Sequence, residues 1–599
     1  MEDLPIVDAR ASGLRSVMDE IKNLMPTGTA PMLLSAGDKS DTQAWRLAPA
    51  SPADLFGATA HLLRVSGAMG WFEPSPSQTA DSDHIVLTVK ERQDIKTIAD
   101  KWAKSEDVDE IQDLWSELII ANGNECLRPR KLAGDKNGSL KWCKVALKLL
   151  LIADLASDGV GRSLQENDTD DRANFIEDLI KLKRKNERSA DGIASLSIAE
   201  SELRRSGRHP ASIALRIDTD VACVLPKSRI AQVGCSLRSL SANLALLPSR
   251  ASVRCHWVEP PSALRADDGS TLDILLIPAP FEIRGTDFKA KAGSEEKAGQ
   301  WGNFSLNQGW LGESSDILNI TRELLRSASK QTRALNAIMF PEYALDWETF
   351  NRICSMAWKE IPELEFIIAG SSENCERHPG NHVLTAIRHE SIESDKKQWI
   401  SAVSRRKHHR WRLDSNQISD YALASSLNPA TACWWESHDI FTPELYFHRF
   451  RQSSTFVTMI CEDLARSEPC HEIIKSIGPN LVFALLMDGP QLPSRWGARY
   501  ASSLADDPGC SVMTFTSWGL IRRMNANGKF PESRSIGLWK DETGCVEQIL
   551  MPKGDNPSGV LVSLAGKTTR DWTIDGRAIN NWSWRFHGQQ PVTLKSPVK

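Results

Sequence analysis

The sequence lacks the features of a membrane-spanning or secreted protein. Its longest apolar run, Val145 to Ala156, is interrupted by Lys148 and Asp154 and is far shorter than the roughly 20 residues that cross a bilayer. The opening residues, MEDLPIVDAR, have neither a basic stretch nor an apolar one, so we expect no signal peptide. These absences predict a cytoplasmic protein whose thiols stay reduced.

Close cysteine pairs are also missing. None of the 12 cysteines forms a CxxC motif, which structural zinc sites usually show. His408 and His409 are adjacent, and neighbours on a strand point to opposite faces. The segment AGKTTR (565–570) lacks the earlier glycine of a phosphate loop, because Leu561 stands there. We therefore expect no metal and no cofactor, and ask whether one cysteine is reactive.

Length and composition indicate a globular protein of several domains. A chain of 599 residues exceeds the roughly 250–300 residues of a single hydrophobic core. Hydrophobic residues make up 41% and charged residues 25%, which is ordinary for folded proteins. The net charge of −5 neither requires nor excludes a polyanionic partner, so nucleic acid is not indicated. The basic run KLKRKNER (181–188) fits a solvated helix face.

Residues 1–210 predict a mostly helical domain of unknown role. Apolar residues recur at helical spacing in 14–24 and in 108–122, while 140–156 is apolar nearly all round and predicts a buried helix. The alternating run IVLTVK (85–90) predicts a short strand.

Residues 211–270 predict a small α/β segment that ends in a linker. We expect strands at 212–217, 222–227 and 252–258 and a helix at 236–247. The stretch 258–270, rich in proline, charge and glycine, is typical of a linker.

From residue 271 the pattern alternates between strands and helices. The predicted elements, in chain order, are strand 272–281, helix 314–332, strand 334–342, helix 347–361, and strands 364–370, 454–460, 480–487, 510–516 and 559–564. Apolar, β-branched strands of this kind are buried on both faces, so we expect a layered α/β domain.

Reactive side chains stand at three strand ends: Glu342 in AIMFPEYAL, Lys407 in VSRRKHHRW and Cys461 in FVTMICEDLAR. Strand ends are where open α/β sheets usually bind ligands. A thiolate nucleophile, a carboxylate that accepts its proton and an ammonium that stabilises an oxyanion form one coherent set. We expect a helix after Cys461 to lower its pKa and to place the Glu462 N–H near the oxyanion.

These motifs resemble the nitrilase, or carbon–nitrogen hydrolase, superfamily. The PE pair at 341–342, the KHH run at 407–409 and the strand-Cys-x-Asp stretch at 454–463 follow its order, and SIGLWK (535–540) with GVLVSL (559–564) resembles its late strands. The resemblance covers 271–565 and leaves 566–599 as a C-terminal tail. It implies an α-β-β-α sandwich, a homo-oligomer, and metal-free cleavage of a small amide or nitrile through an acyl-enzyme. Glu342 would be the base, Lys407 the oxyanion stabiliser and Cys461 the nucleophile.

The sequence departs from the family pattern in two places. Members that act on nitriles tend to have Trp after the cysteine, where this chain has Glu462, so the amidase branches are more similar. A second glutamate often follows the lysine, and here RLDSNQISDY offers Asp414, Gln417 or Asp420. Further candidates for oxyanion or substrate contact are Met487 and Asp488.

Three alternatives remain open. The nitrilase-like domain could serve as an effector or scaffold, for example in bacterial defence, with a protein partner bound through residues 1–260. The acyl thioester could be captured by an amine instead of water. Finally, the reactive residues could have no catalytic role. Lys407 could belong to a solvated or anion-attracting basic patch at 405–412. Cys461 could be a core residue, because a lone buried cysteine is more often part of the core than a nucleophile.

Overall fold

The computed structural model describes residues 15–29, 44–74, 84–104, 108–128, 140–161, 204–205, 212–258, 271–291, 301–312, 314–390, 398–441, 443–554 and 556–594. The basic run at 181–188 and most of the predicted linker lie outside these residues. Across the described ranges, the helices are all too short or too polar to cross a membrane.

The described part of the N-terminal region is helical, as its periodicity predicts. Its helices are α1 (Val17–Leu24), α2 (Pro52–Ser66), α3 (Val89–Ala103), α4 (Asp109–Ser116) and α5 (Lys141–Ala156). Helix α5 is buried nearly all round, which confirms the prediction for 140–156.

The strand predicted at 85–90 is wrong. Ile85 makes only an isolated bridge with Phe72, and helix α3 begins at Val89. Thr88 caps that helix: its hydroxyl accepts from the Glu91 amide, and the Glu91 carboxylate accepts from the Thr88 amide at 2.8 Å. Because this capping box supplies hydrogen bonds to the first turn, it outweighs the alternation of side chains.

Residues 212–258 form β2 (Cys223–Pro226), α6 (Leu237–Leu240), β3 (Leu244–Leu247) and β4 (Arg254–Val258). The predicted strand at 212–217 is absent, because Asp54 Oδ1 accepts from the amides of Leu215 at 2.8 Å and Arg216 at 2.7 Å in place of a strand partner. The predicted helix at 236–247 shrinks to α6, and its second half pairs with β2 as strand β3.

Two large sheets form the centre of the molecule. The eight-stranded sheet has the order β1 (Arg204–Arg205), β11 (Gln398–Arg406), β10 (Pro379–Glu390), β9 (Phe366–Glu373), β8 (Ala337–Leu345), β5 (Thr271–Leu276), β20 (Ser558–Trp572) and β21 (Ala578–Thr593). The seven-stranded sheet has the order β19 (Val546–Leu550), β18 (Ser535–Lys540), β17 (Ser511–Thr516), β16 (Leu481–Leu486), β15 (Ser454–Ile460), β14 (Glu444–Arg451) and β4.

The two sheets face each other between outer helices. Phe366 of one sheet and Phe456 of the other have ring centroids 4.8 Å apart in a shared apolar core. Helices α7 (Ser314–Ala328) and α8 (Trp347–Glu360) pack on the outer face of the eight-stranded sheet. The later helices are α10 (Glu462–Ala465), α11 (Glu472–Ile477), α12 (Trp496–Asp506) and α13 (Trp518–Asn527). The fold is thus the α-β-β-α sandwich that the resemblance implies.

A small third sheet packs near the strand ends. Its order is β12 (Arg412–Leu413), β13 (Cys433–Glu436), β7 (Trp301–Leu306) and β6 (Phe288–Ala290), and helix α9 (Ser415–Asp420) follows β12. Its apolar cluster includes Phe304 and Trp434 and reaches Tyr343 and Met487. The stretch between Lys407 and Cys461 therefore builds part of a separate layer.

The predicted boundaries at 270 and 565 divide continuous structures. Strand β4, from the segment before 270, pairs in parallel with β14 at the edge of the seven-stranded sheet. Residues 566–594 are not a tail, because β20 runs through 565 and pairs with β21 as a long hairpin. Sequence patterns place elements well, but they do not show which sheet an edge strand joins.

Candidate active site

Glu342 lies in an irregular part of strand β8. The pairing of β8 with β9 shifts between Phe340 and Leu345, and Tyr343 has a positive φ of 59°. Gly370 of β9 faces this irregularity, and a Cβ there would lie 2.4 Å from the Glu342 Cα. A glycine is therefore required opposite Glu342, whose side chain is fully buried.

Lys407 follows the last residue of strand β11 and is also fully buried. Its Nζ donates to Glu342 Oε1 at 2.9 Å and to Glu436 Oε2 at 2.7 Å. Burial on its own would lower the pKa of Lys407, but the two carboxylates raise it well above its ordinary value. The ammonium form is thus stabilised inside the protein.

Glu436, at the end of β13, receives hydrogen bonds on both carboxylate oxygens. Oε2 accepts from Lys407 and from the Trp411 amide at 2.9 Å, while Oε1 accepts from Asn381 Nδ2 at 2.8 Å and from Tyr343 OH at 2.9 Å. Burial would raise the pKa of Glu436, but Lys407 above all lowers it to about 2. Glu436 is therefore the permanently ionised partner of Lys407.

Glu342 has a different environment from Glu436. Its Oε1 accepts from Lys407 and from Asn381 Nδ2 at 2.7 Å, but within the described part of the chain Oε2 has no hydrogen-bond partner. Burial, together with the charge of Glu436, raises the pKa of Glu342 despite the attraction of Lys407. Glu342 is thus the more basic of the two carboxylates, and its Oε2 is free to accept a proton.

Cys461 stands at a sharp turn between β15 and α10. Its φ of 42° and ψ of −105° are strained for a residue with a side chain, and such strain costs on the order of 1–3 kcal/mol. The helix after it was expected to lower its pKa, but α10 has only four residues. Burial, followed by the charge of Glu342, raises the pKa of Cys461 well above its ordinary value, and Lys407 opposes the rise. The thiol therefore needs a base beside it.

Asp463 connects the Cys461 turn to the Lys407 loop. Its Oδ1 accepts from the amides of His408 at 3.0 Å and His409 at 3.1 Å, and Oδ2 accepts from Arg405 Nη2 at 2.8 Å. Burial would raise the pKa of Asp463, but Arg405 and His408 lower it below its ordinary value. One buried carboxylate thus contacts residues on both sides of Lys407.

Asp488, a predicted substrate-contact residue, lies in a second polar cluster. Tyr421 OH donates to its Oδ1 at 2.5 Å, Arg495 Nη2 donates to the same oxygen at 2.7 Å, and Trp496 Nε1 donates to Oδ2 at 3.0 Å. Its charge is among those that raise the pKa of Cys461. Asp488 is therefore close enough to Cys461 to influence the thiol.

The other predicted contact residues lie in varied places. Glu462 is half-buried and bonds to Arg466, and buried Met487 accepts a hydrogen bond from Ser517 Oγ at 3.8 Å. Asp414 and Gln417 instead form the capping box that starts α9, with Asp414 Oδ1 accepting from the Gln417 amide at 2.8 Å.

None of the three candidates for the second glutamate is brought to Lys407. Asp414 and Gln417 cap α9, and Asp420 pairs with Lys529. The structure places Glu436 there instead, together with Asn381 and Tyr343, which sequence reasoning did not single out. The available signal for Glu436 was its position after the apolar run 433–435, the same strand-end pattern that marks Lys407 and Cys461.

The adjacent histidines lie in a loop, because β11 ends at Arg406. His408 Nδ1 is 3.1 Å from Cys470 Sγ, and His409 Nε2 is 2.9 Å from the Glu468 carbonyl oxygen. Over the described ranges, no group of three or more His, Cys, Asp or Glu side chains could hold a metal ion.

Most other cysteines are buried, consistent with core positions: Cys143, Cys223, Cys255, Cys354, Cys375, Cys433, Cys470 and Cys510. Cys126 and Cys545 are half-buried, and Cys235 is exposed. Cys461 differs from all of these in standing at a strained turn beside a buried carboxylate and ammonium.

The chain resembles known proteins in structure only. No family model and no curated protein sequence matches it. A carbon–nitrogen hydrolase from Helicobacter pylori G27 is 13% identical, with a TM-score of 0.27 over 49% of this chain and 88% of that one. Nit3 from Saccharomyces cerevisiae, a member of branch 10 of the nitrilase superfamily, is 9% identical, with a TM-score of 0.25 over 54% and 90%.

The glutamine-dependent NAD+ synthetase from Acinetobacter baumannii is 11% identical, with a TM-score of 0.27 over 49% of this chain. The match spans 45% of that synthetase, which is less than half of its length. The solved structures that this chain resembles over about half its length thus include members of the superfamily inferred from its motifs. At these TM-scores the function has to be argued from the side chains of the site.

Proposed function

We propose that this protein is a thiol-dependent hydrolase of a non-peptide carbon–nitrogen bond, with Cys461 as nucleophile, Glu342 as base and Lys407 as oxyanion stabiliser. One observation supports this most strongly: Glu342 has a raised pKa and an unpartnered Oε2, whereas the neighbouring Glu436 is fully hydrogen-bonded and ionised. Two carboxylates in different protonation environments can take different roles: Glu342 exchanges protons, and Glu436 stays ionised beside Lys407.

In the first half of the reaction, Glu342 takes the thiol proton as Cys461 Sγ bonds to the carbonyl carbon of the substrate. The negative charge that develops on the carbonyl oxygen is stabilised by the Lys407 ammonium. Glu342 then gives its proton to the leaving nitrogen, the carbon–nitrogen bond breaks, and ammonia or an amine departs. The acyl group remains on Cys461 as a thioester.

In the second half, Glu342 removes a proton from water, and the resulting hydroxide attacks the thioester carbonyl. The carbon–sulfur bond breaks, the acid departs, and Cys461 recovers its proton from Glu342. Glu436 does not exchange protons in this scheme, because its pKa of about 2 keeps it ionised. It keeps Lys407 charged and in place throughout both halves.

Burial restricts the substrate class. Cys461 is 3% exposed, and Glu342 and Lys407 are fully buried, so the reacting atoms are largely screened from solvent. A folded polypeptide chain does not reach such a site without rearrangement of its cover. Small amides are therefore the substrates that we propose, and the sequence after the cysteine favours amides over nitriles.

The test is release of ammonia or amine from a panel of small amides and carbamoyl compounds. Cys461→Ala should abolish release, whereas Cys354→Ala, which removes another buried thiol from helix α8, should retain it. Mass spectrometry of a quenched reaction should show an acyl adduct on Cys461, and the adduct mass identifies the acyl group. Full activity in Cys461→Ala would overturn the assignment.

A further inference from the structure

A cavity of about 280 Å³ lies apart from Cys461, where the N-terminal region meets the sandwich. Helix α2 forms one wall, the segment 235–246 another, and helix α11 the third. Its apolar lining includes Phe56, Leu63 and Ala245. None of the residues that surround Lys407 or Cys461 lines it, so the cavity is separate from the proposed active site.

Three charged side chains line this cavity: Arg64, Glu472 and Arg238, of which Arg238 pairs with Asp507 at 3.0 Å. Arg64 and Glu472 both line it, and both residues are exposed. Arg64 and Glu472 therefore present opposite charges beside the apolar lining of the cavity.

This arrangement is complementary to a free α-amino acid. Its carboxylate would pair with Arg64, its ammonium would pair with Glu472, and an apolar side chain would enter between Phe56 and Leu63. The volume is just below the roughly 300–1,000 Å³ of most ligand pockets, which favours one small molecule over a nucleotide. We propose that the cavity is an effector site for a free amino acid with an apolar side chain.

The position of α11 connects this cavity to the proposed active site. Helix α11 starts directly after His471, and the preceding Cys470 has its Sγ 3.1 Å from His408 Nδ1, next to Lys407. A ligand that binds better to one position of α11 than to another therefore shifts the position of the loop that contains Lys407 and His408. The effect on hydrolysis rests on the proposed function, whereas the binding itself does not.

Binding is measured by calorimetry on the full-length Cys461→Ala variant, because one of the compounds, L-leucinamide, is an amide that the wild type could hydrolyse. The probes are L-leucine, L-methionine and L-phenylalanine, with glycine, N-acetyl-L-leucine and L-leucinamide as comparisons. The free apolar amino acids should bind at least tenfold more tightly than all three comparisons. Equal binding of the blocked compounds, or no binding by any apolar amino acid, would overturn the proposal.

Cys235 provides an independent readout at the same cavity. It lines the cavity and is an exposed cysteine, so its modification by a thiol reagent reports occupancy. Leucine should slow this modification, glycine should not, and Cys235→Ser identifies the labelled position. An unchanged labelling rate at saturating leucine would contradict binding in the cavity.

Charge variants locate the binding groups. Arg64→Ala and Glu472→Gln should each weaken leucine binding at least tenfold. The matched control Arg250→Ala removes an exposed guanidinium that pairs with Asp220 and should leave the affinity unchanged. Unchanged affinity in both charge variants would overturn the proposal. Leucine binding in a protein with no amidase activity would reject only the proposed hydrolysis.

Discussion

The carboxylate of Asp463 lies 3.0 Å from the backbone nitrogen of His408, so one side chain joins the turn of the proposed nucleophile to the loop of Lys407. The same carboxylate pairs with Arg405, which lies on strand β11 two residues before Lys407. All of these groups are buried. Asp463 therefore has a positioning role, because the separation of Cys461 and Lys407 depends on it.

The first prediction concerns Asp463→Asn. The amide side chain keeps the shape but removes the charge that faces Arg405. We expect kcat to fall about a hundredfold with little change in KM, because small displacements of reacting groups have effects of that order. Breaking a buried ion pair should also lower the free energy of unfolding by about 3–5 kcal/mol. Steady-state kinetics and urea unfolding measure the two effects.

The control for Asp463→Asn is Glu360→Gln, which removes an exposed partner of Arg326 and should change neither quantity much. If Asp463→Asn lost stability but kept the kcat of the wild type well below its melting temperature, Asp463 would have a structural role only.

The second prediction concerns the pH profile of Glu436→Gln. In the wild type, burial, together with the charge of Glu436, raises the pKa of Glu342 above its ordinary 4.5. The ionised form of Glu342 is the base, so kcat/KM falls as the pH drops through that pKa. Removing the charge of Glu436 lowers the pKa of Glu342, and the acidic limb should therefore move to lower pH. The maximal kcat should fall as well, because Lys407 loses its closest carboxylate.

Tyr343→Phe is the matched control for that profile. It removes one hydrogen bond from Glu436 but leaves the charge, so its acidic limb should stay near that of the wild type. An acidic limb that remains in place in Glu436→Gln would show that Glu436 does not set the protonation of Glu342.

Sequence patterns located the three proposed reacting groups because each lies in a short window that also defines its strand. Glu342, Lys407 and Cys461 are near one another because β8, β11 and β15 belong to two sheets that face each other. The position of Glu436 depends on the parallel pairing of β13 with β7, far earlier in the chain. No local sequence pattern encodes that pairing. Asp414 and Gln417 were therefore better candidates, from the sequence alone, for the second glutamate than Glu436, which the structure places beside Lys407.

Local sequence patterns also predict the wrong secondary structure where residues distant in the sequence form hydrogen bonds with the backbone. Residues 212–217 alternate like a strand, yet Asp54 binds the amides of Leu215 and Arg216. The apolar run at 244–247 fits a helix until its pairing with β2 is known. In both cases a contact from another part of the chain decides between two conformations that the sequence allows.

The third prediction concerns Gly370→Ala. The added Cβ would lie 2.4 Å from the Glu342 Cα and 2.5 Å from the Pro341 carbonyl oxygen, and both neighbours are backbone atoms that cannot rotate away. We expect Glu342 to be displaced, with kcat reduced about a hundredfold and stability lowered by about 1–3 kcal/mol. The control is Gly588→Ala in β21 of the same sheet, where a Cβ would have no atom within 4 Å. Comparable kcat values in the two variants would contradict the proposed requirement for glycine opposite Glu342.

The fourth prediction concerns Asp154, which joins helix α5 to the sandwich. Its carboxylate accepts from the amides of Ala242 at 2.8 Å, Asn243 at 2.9 Å and Leu244 at 3.1 Å, and from Arg577 Nη1 at 3.1 Å. Asp154→Ala removes all four contacts and leaves three amides and one guanidinium without this partner. We expect the free energy of unfolding to fall by about 3–5 kcal/mol, measured by urea unfolding.

Asp220→Ala is the control for Asp154→Ala, because it breaks an exposed pair with Arg250 and should change stability by no more than about 0.5 kcal/mol. A chain shortened to 271–594 should be still less stable, because it loses strand β4 from the edge of the seven-stranded sheet as well as Asp154, one of the two carboxylates that pair with Arg577. If that fragment unfolded at the same urea concentration as the full chain, the N-terminal region would be an independent attachment. We expect an earlier transition, since β4 and Asp154 are integral parts of the sandwich.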